Sequence, residues 1–272
     1  GTYNLGGTGV LTVNNLHVGR SGTAIFNQTG GEAFVNLSDI GHDIDGSGTY
    51  NISDGFLTVA TQLRIGDHAT AEGLVTQSGG TVDVGTDLRL SSTAGGTGTY
   101  ELSGGSLGAD TLTVGNTSGQ ALFDWDAGTL AITTLNVNAS GEFNGADAGD
   151  LTGGGLNVRA TGALVDMGTN GLSVSDGGLL AGGLGKPGDF SVLGGTFTHT
   201  GGAMELTSSS ITVAGGATYA MGDLYSTGAI TEGATPADLT VSADGVFIGW
   251  TDKAGNGGID MTGTLTNNGQ VI

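Results

Sequence analysis

Gly48-Thr49-Tyr50-Asn51-Ile52, followed by Leu57-Thr58-Val59 and then Leu63-Arg64-Ile65-Gly66, is a sentence that this chain writes repeatedly. Gly1-Thr2-Tyr3-Asn4-Leu5 and Gly98-Thr99-Tyr100-Glu101-Leu102 open the same way. Variant copies fall halfway between, at Phe26-Asn27-Gln28-Thr29-Gly30-Gly31 and Val75-Thr76-Gln77-Ser78-Gly79-Gly80. The aromatic or apolar marker therefore stands at 3, 26, 50, 75, 100 and 123. Steps of roughly 23–25 residues are those of a solenoid coil.

Within each unit, apolar and polar residues alternate. Leu11-Thr12-Val13 with Leu16-His17-Val18-Gly19 sets the pattern, and Val82-Asp83-Val84 with Leu88-Arg89-Leu90 repeats it. Period-2 alternation puts the aliphatics on one face and the middle residue on the other. Short strands separated by glycines cannot bury that face alone, so coil must stack on coil. No segment carries a sustained helical period. The sequence predicts an all-β, single-domain parallel β-helix over 1–272, with roughly 11–12 coils. Coils are regular over 1–140 and less regular, with loop insertions, over 141–272. Phe143, Val165, Phe197 and Tyr219 continue the markers there, and Gly185-Lys186-Pro187-Gly188 is a turn cluster that interrupts them.

Composition narrows the function. The chain has 26 acidic and 6 basic residues, a net charge of -20, with 57 Gly, 2 Pro and no Cys. Without Lys/Arg clusters it has no means of holding a phosphate backbone, which excludes nucleic acid as a partner. No apolar run is long enough to span a membrane as a helix. Collagen is excluded because Gly has no three-residue period and Pro is scarce. A chain opening on Gly1 reads as a processed product or a segment.

The coils Gly1 to Gly7, Leu11-Thr12-Val13 and Leu16-His17-Val18-Gly19 resemble autotransporter-associated β-strand repeats of bacterial surface proteins. Gly263-Thr264-Leu265-Thr266-Asn267-Asn268-Gly269-Gln270-Val271-Ile272 is similar to filamentous-haemagglutinin-type repeats. The resemblance implies a right-handed coil, a secreted or cell-surface location, and adhesive or scaffolding roles.

Chemistry-bearing residues are sparse. Polysaccharide lyases and hydrolases on such folds need clustered acids and a cation for the substrate, and the six basic residues here are dispersed. Arg64 and Arg89, 25 residues apart, stack on adjacent coils and read as salt-bridge partners of Asp83 or Asp87. His17, His42, His68 and His199 read as lone turn or surface residues. Gly41-His42-Asp43 resembles a fragment of a polygalacturonase motif whose companions are missing. The expectation is that the protein is not an enzyme. Ca²⁺ is the candidate ion. Asp252, Asn256 and Asp260 occupy ligand-type positions of a loop that partly matches an EF-hand, lacking its bidentate acid. Asp124 and Asp126 flank Trp125 and share an outer face if Trp125 points inward. Trp125, Trp250, Tyr219 and Tyr225 are candidates for stacking on glycans.

Both ends carry repeat consensus where a cap is expected. Gly1, Thr2, Tyr3 and Leu5 at one end, with Leu265, Val271 and Ile272 at the other, are the candidate self-assembly residues. The functional expectation is an extracellular structural subunit stacking head to tail into a filament, sheath or matrix fibre. The alternatives are an adhesin or passenger segment binding surfaces or glycans and, third, a polysaccharide-degrading enzyme.

Overall fold

The computed structural model describes residues 1–92, 95–116, 118–145, 147–148, 151–158, 163–167, 172–180, 183–184, 190–199, 203–206, 210–221, 229–232, 238–241, 243, 246–248, 258–260, 265–267 and 270–271. Among them there is no helix, and every strand ladder is parallel. The fold is a parallel β-solenoid. Contacts divide the chain into two compact units, Gly1–Asn144 and Gly145–Ile272.

In the first unit, β1 (Thr2–Leu5) and β2 (Val10–Val18) together form the first coil, and both pair with β3 (Thr23–Ile40). The ladder continues through β4 (Ser47–Ile65), β5 (Glu72–Leu90), β6 (Thr97–Val114) and β7 (Gln120–Val137) to β8 (Gly141–Asn144). The sequence predicts strands of three to five residues, yet these run to 18 or 19. Backbone pairing persists around the bends, which appear as register shifts such as that between Gln28 and Thr29. At the glycine bends, inward and outward positions exchange.

All six markers fall in one column: Tyr3, Phe26, Tyr50, Val75, Tyr100 and Phe123 pair in succession, and Phe143 follows. Tyr3 stacks on Phe26 at 4.9 Å and Phe26 on Tyr50 at 4.6 Å between ring centroids. That is close to the strand spacing, so each ring sits on the one before it. The Leu-x-Val motifs supply further columns: Ala33, Leu57, Val82 and Leu107 form one, and Leu63, Leu88, Leu112 and Leu135 another, all buried. On the outer face, Asn51 donates to Asn27 and Asn27 to Asn4, each at 2.9 Å, a side-chain ladder between coils.

The corner after Val18, Ile40 and Ile65 is made by Gly19, Gly41 and Gly66, all with positive φ near 70°. A Cβ on Gly41 would collide with the Glu72 carbonyl oxygen, so only glycine fits.

In the second unit Leu151–Val158 pairs with Leu172–Leu180, and the described strands after them are of two to four residues. Phe190–Val192, Ser210–Val213, Asp238–Val241 and Leu265–Asn267 stack as one column. Thr196–His199, Thr218–Met221, Val246–Ile248 and Gln270–Val271 form a second. Ala203–Leu206, Ala229–Glu232 and Gly258–Asp260 form a third.

Candidate functional site

The second strand motif of each early coil places one outward middle residue in register with the next: His17, Asp39, Arg64 and Arg89. Immediately after them the chain turns at the corner glycines. The corners also stack, since the Gly41 amide donates to the Val18 carbonyl at 2.8 Å and the Asp67 amide to the Gly41 carbonyl at 3.0 Å. This brings His42 and Asp67, the residues following Gly41 and Gly66, against the His17–Asp39–Arg64 row.

Asp39 is fully buried. Its Oδ1 accepts from Arg64 Nε at 2.7 Å, and its Oδ2 lies 2.9 Å from His17 Nδ1 and 3.8 Å from His42 Nδ1. Arg64 Nη1 reaches Asp67 Oδ2 at 3.0 Å, and His42 Nδ1 lies 3.3 Å from the same oxygen. The Ser92 hydroxyl donates to the other Asp67 oxygen. The His17 and His42 rings stack at 5.1 Å, with His68 edge-on to His42 at 5.9 Å. Asp39 and Asp67 share the guanidinium of Arg64. An ion this deep is tolerated only when paired and hydrogen-bonded.

This cluster corrects two expectations. The histidines at 17, 42 and 68 are not lone residues; they meet at one corner. His199 is fully buried, 2.9 Å from the Tyr219 hydroxyl. Arg64 pairs with Asp39 and Asp67 rather than Asp83 or Asp87, whereas Arg89 does reach Asp87 at 2.9 Å. The signal that finds the cluster is the alignment of middle residues: Ser38-Asp39-Ile40-Gly41 is the second coil's copy of Leu16-His17-Val18-Gly19.

The structure places the other candidates separately. Trp125 points inward and is buried, Asp124 accepts a hydrogen bond from Asn144 at 2.7 Å, and Asp126 is exposed. Asp260 ends the strand Gly258–Asp260, while Asp252 and Asn256 lie outside the described residues, as do Lys186, Trp250, Tyr225 and Ile272. Tyr219 is buried and so presents no face to a glycan. Among the described residues, one group of three or more His, Cys, Asp and Glu has ligand atoms gathered closely: His17, Asp39 and His42.

A second feature lies on the first coil. Tyr3 is 48% exposed, whereas Phe26, Tyr50, Val75 and Tyr100 in the same column are at most 3% exposed. Leu11, Val13 and Leu16 are half-buried, whereas their partners Ala33, Val35 and Ser38 in the next coil are buried. Together Tyr3, Leu11, Leu16, Ile25 and Phe26 line a groove of about 330 Å³. Compared with protein-family models, curated proteins and solved structures, the chain matches none of them.

Proposed function

We propose that this chain is a non-enzymatic structural subunit, a β-solenoid that receives another coil on its first coil and so builds a head-to-tail fibre at or beyond the cell surface. The observation that supports this reading is the register of the coils: like residues stack in columns such as Tyr3, Phe26, Tyr50, Val75 and Tyr100, a pattern that a coil of another copy extends. Aliphatic and aromatic columns gain by being covered by a further coil, at about 25 cal/mol per Å² of apolar area. The backbone of Thr2–Leu5 and Val10–Val18 on the side away from Thr23–Ile40 is suited to strand addition. In this reading the complementary face includes Leu265 and Val271, which continue the columns of Phe190 and Phe197 in register.

Such a contact joins different surfaces of two copies and does not close, so it propagates as a filament. The charge of -20 opposes sideways association of finished fibres. Electron microscopy of the purified chain tests the reading. Fibres whose thickness is that of a single coil support it, and monodisperse particles at every concentration contradict it.

A further inference from the structure

We propose that His17 Nδ1, His42 Nδ1 and Asp39 Oδ2 form a binding site for one first-row divalent transition ion. Three observations converge on this site. The first is proximity: the three atoms all lie within 4.8 Å of one another. A tetrahedral ion with bonds of about 2.0–2.1 Å needs ligand atoms roughly 3.3 Å apart. The 2.9 and 3.8 Å separations from Asp39 Oδ2 to the two imidazole nitrogens bracket that value.

The second observation is unmet bonding capacity. Among the described residues, His17 Nδ1, Asp39 Oδ2 and His42 Nδ1 are three of the four buried side-chain polar atoms that have no hydrogen-bond partner. His17 Nδ1 and Asp39 Oδ2 are an ion pair by distance, yet they fail as a hydrogen bond by direction. A buried polar atom left unpaired costs about 1–3 kcal/mol. Three of them converging on one point are satisfied together by a cation with open coordination positions.

The third observation is the support around the ligands. Arg64 holds the remaining Asp39 oxygen at 2.7 Å, which fixes the carboxylate with Oδ2 turned to the imidazoles. His42 Nε2 lies 3.6 Å from Asp43 Oδ1, so a carboxylate also stands behind the ring's second nitrogen. Asp67 Oδ2, 3.3 Å from His42 Nδ1, stands beside the site and supplies further negative charge. The His17 and His42 rings are 25% and 19% exposed, although their Nδ1 atoms are buried.

Two imidazoles and one carboxylate select a borderline ion such as Zn²⁺ over Ca²⁺, which prefers six to eight oxygens. The site ties the first coil, through His17, to the second, through Asp39 and His42. It therefore acts as a clip between the first two coils, independently of whether fibres form.

The test is titration of the full chain with Zn²⁺ by calorimetry, alongside imidazole nitrogen NMR on the unaltered protein. Expected are one saturable site, shifts of the His17 and His42 Nδ1 resonances with His199 unmoved, and weakening by about 10-fold or more in His17→Ala and His42→Ala. An Asp124→Ala/Asp126→Ala variant keeps full affinity, and Ca²⁺ does not compete. Absence of saturable binding, equal shifts at all histidines, or unchanged affinity in a folded His17→Ala variant overturns the proposal. If either variant fails to fold, the NMR result on the unaltered chain decides.

Discussion

The Tyr50 hydroxyl donates a 2.6 Å hydrogen bond to Gln28 Oε1 one coil earlier, inside the core. Tyr100 makes the same bond to Gln77 at 2.5 Å, and in the second unit Tyr219 meets His199 at 2.9 Å. Each glutamine amide also donates onward, Gln28 to the Phe56 carbonyl and Gln77 to the Ser106 carbonyl, both at 3.0 Å. The Gly-Thr-Tyr signature is thus half of a two-coil device. One coil brings a buried polar side chain two residues beyond its marker, and the next brings the phenol that satisfies it.

Removing the phenol strands its partner. Tyr50→Phe leaves Gln28 Oε1 buried without a donor and is expected to cost about 1–3 kcal/mol. Urea denaturation of Tyr50→Phe, Gln28→Leu and the double variant checks this. The double variant should lose less than the sum of the singles, because it removes both halves of the pair.

Burial raises the pKa values of Tyr50, Tyr100 and Tyr219 well above the usual phenol value, and for Tyr100 the neighbouring Tyr50 adds to the effect. The folded chain therefore holds these protons more tightly than the unfolded chain, whose tyrosines titrate near about 10. Their contribution is fully present below that pH and is lost as pH rises through it towards the folded values. Urea midpoints should be flat in this respect below about pH 9 and fall above about pH 10, with tyrosinate absorbance appearing together with unfolding.

Ser38 occupies the column position held by Leu16 and Leu63 in the adjacent coils, and its buried hydroxyl has no hydrogen-bond partner. Replacing it by a methyl removes that unmet polar group. Ser38→Ala is expected to raise stability by about 1 kcal/mol, read as a higher urea midpoint with unchanged slope.

The solenoid was legible because stacking forces like residues into columns. The markers at 3, 26, 50, 75, 100 and 123 and the Leu-x-Val motifs need only period-2 alternation and a constant repeat to be placed. Bends were less legible: the sequence reads as short strands separated by glycines, yet the ladder around Gly55 is continuous enough to make Ser47–Ile65 one strand. The histidine corner was hidden by Ser38, whose polar side chain breaks the Leu-x-Val pattern in the coil that carries Asp39. Without that coil in alignment, His17 has no visible neighbour, and His42 joins it only through a corner whose course depends on Gly41. Pairing of Arg64 with Asp39 rather than Asp87 follows from the same register.

The central claim is that the first coil is a stacking face, and sedimentation velocity of the unaltered chain beside Tyr3→Asp and Leu16→Asp tests it most directly. Each substitution puts a charge into the groove at a position carried by the first coil. The account predicts species that lengthen with concentration for the unaltered chain and a monomer for both variants, with the far-UV circular dichroism unchanged. A monomeric unaltered chain, or assembly that survives both substitutions, would contradict it.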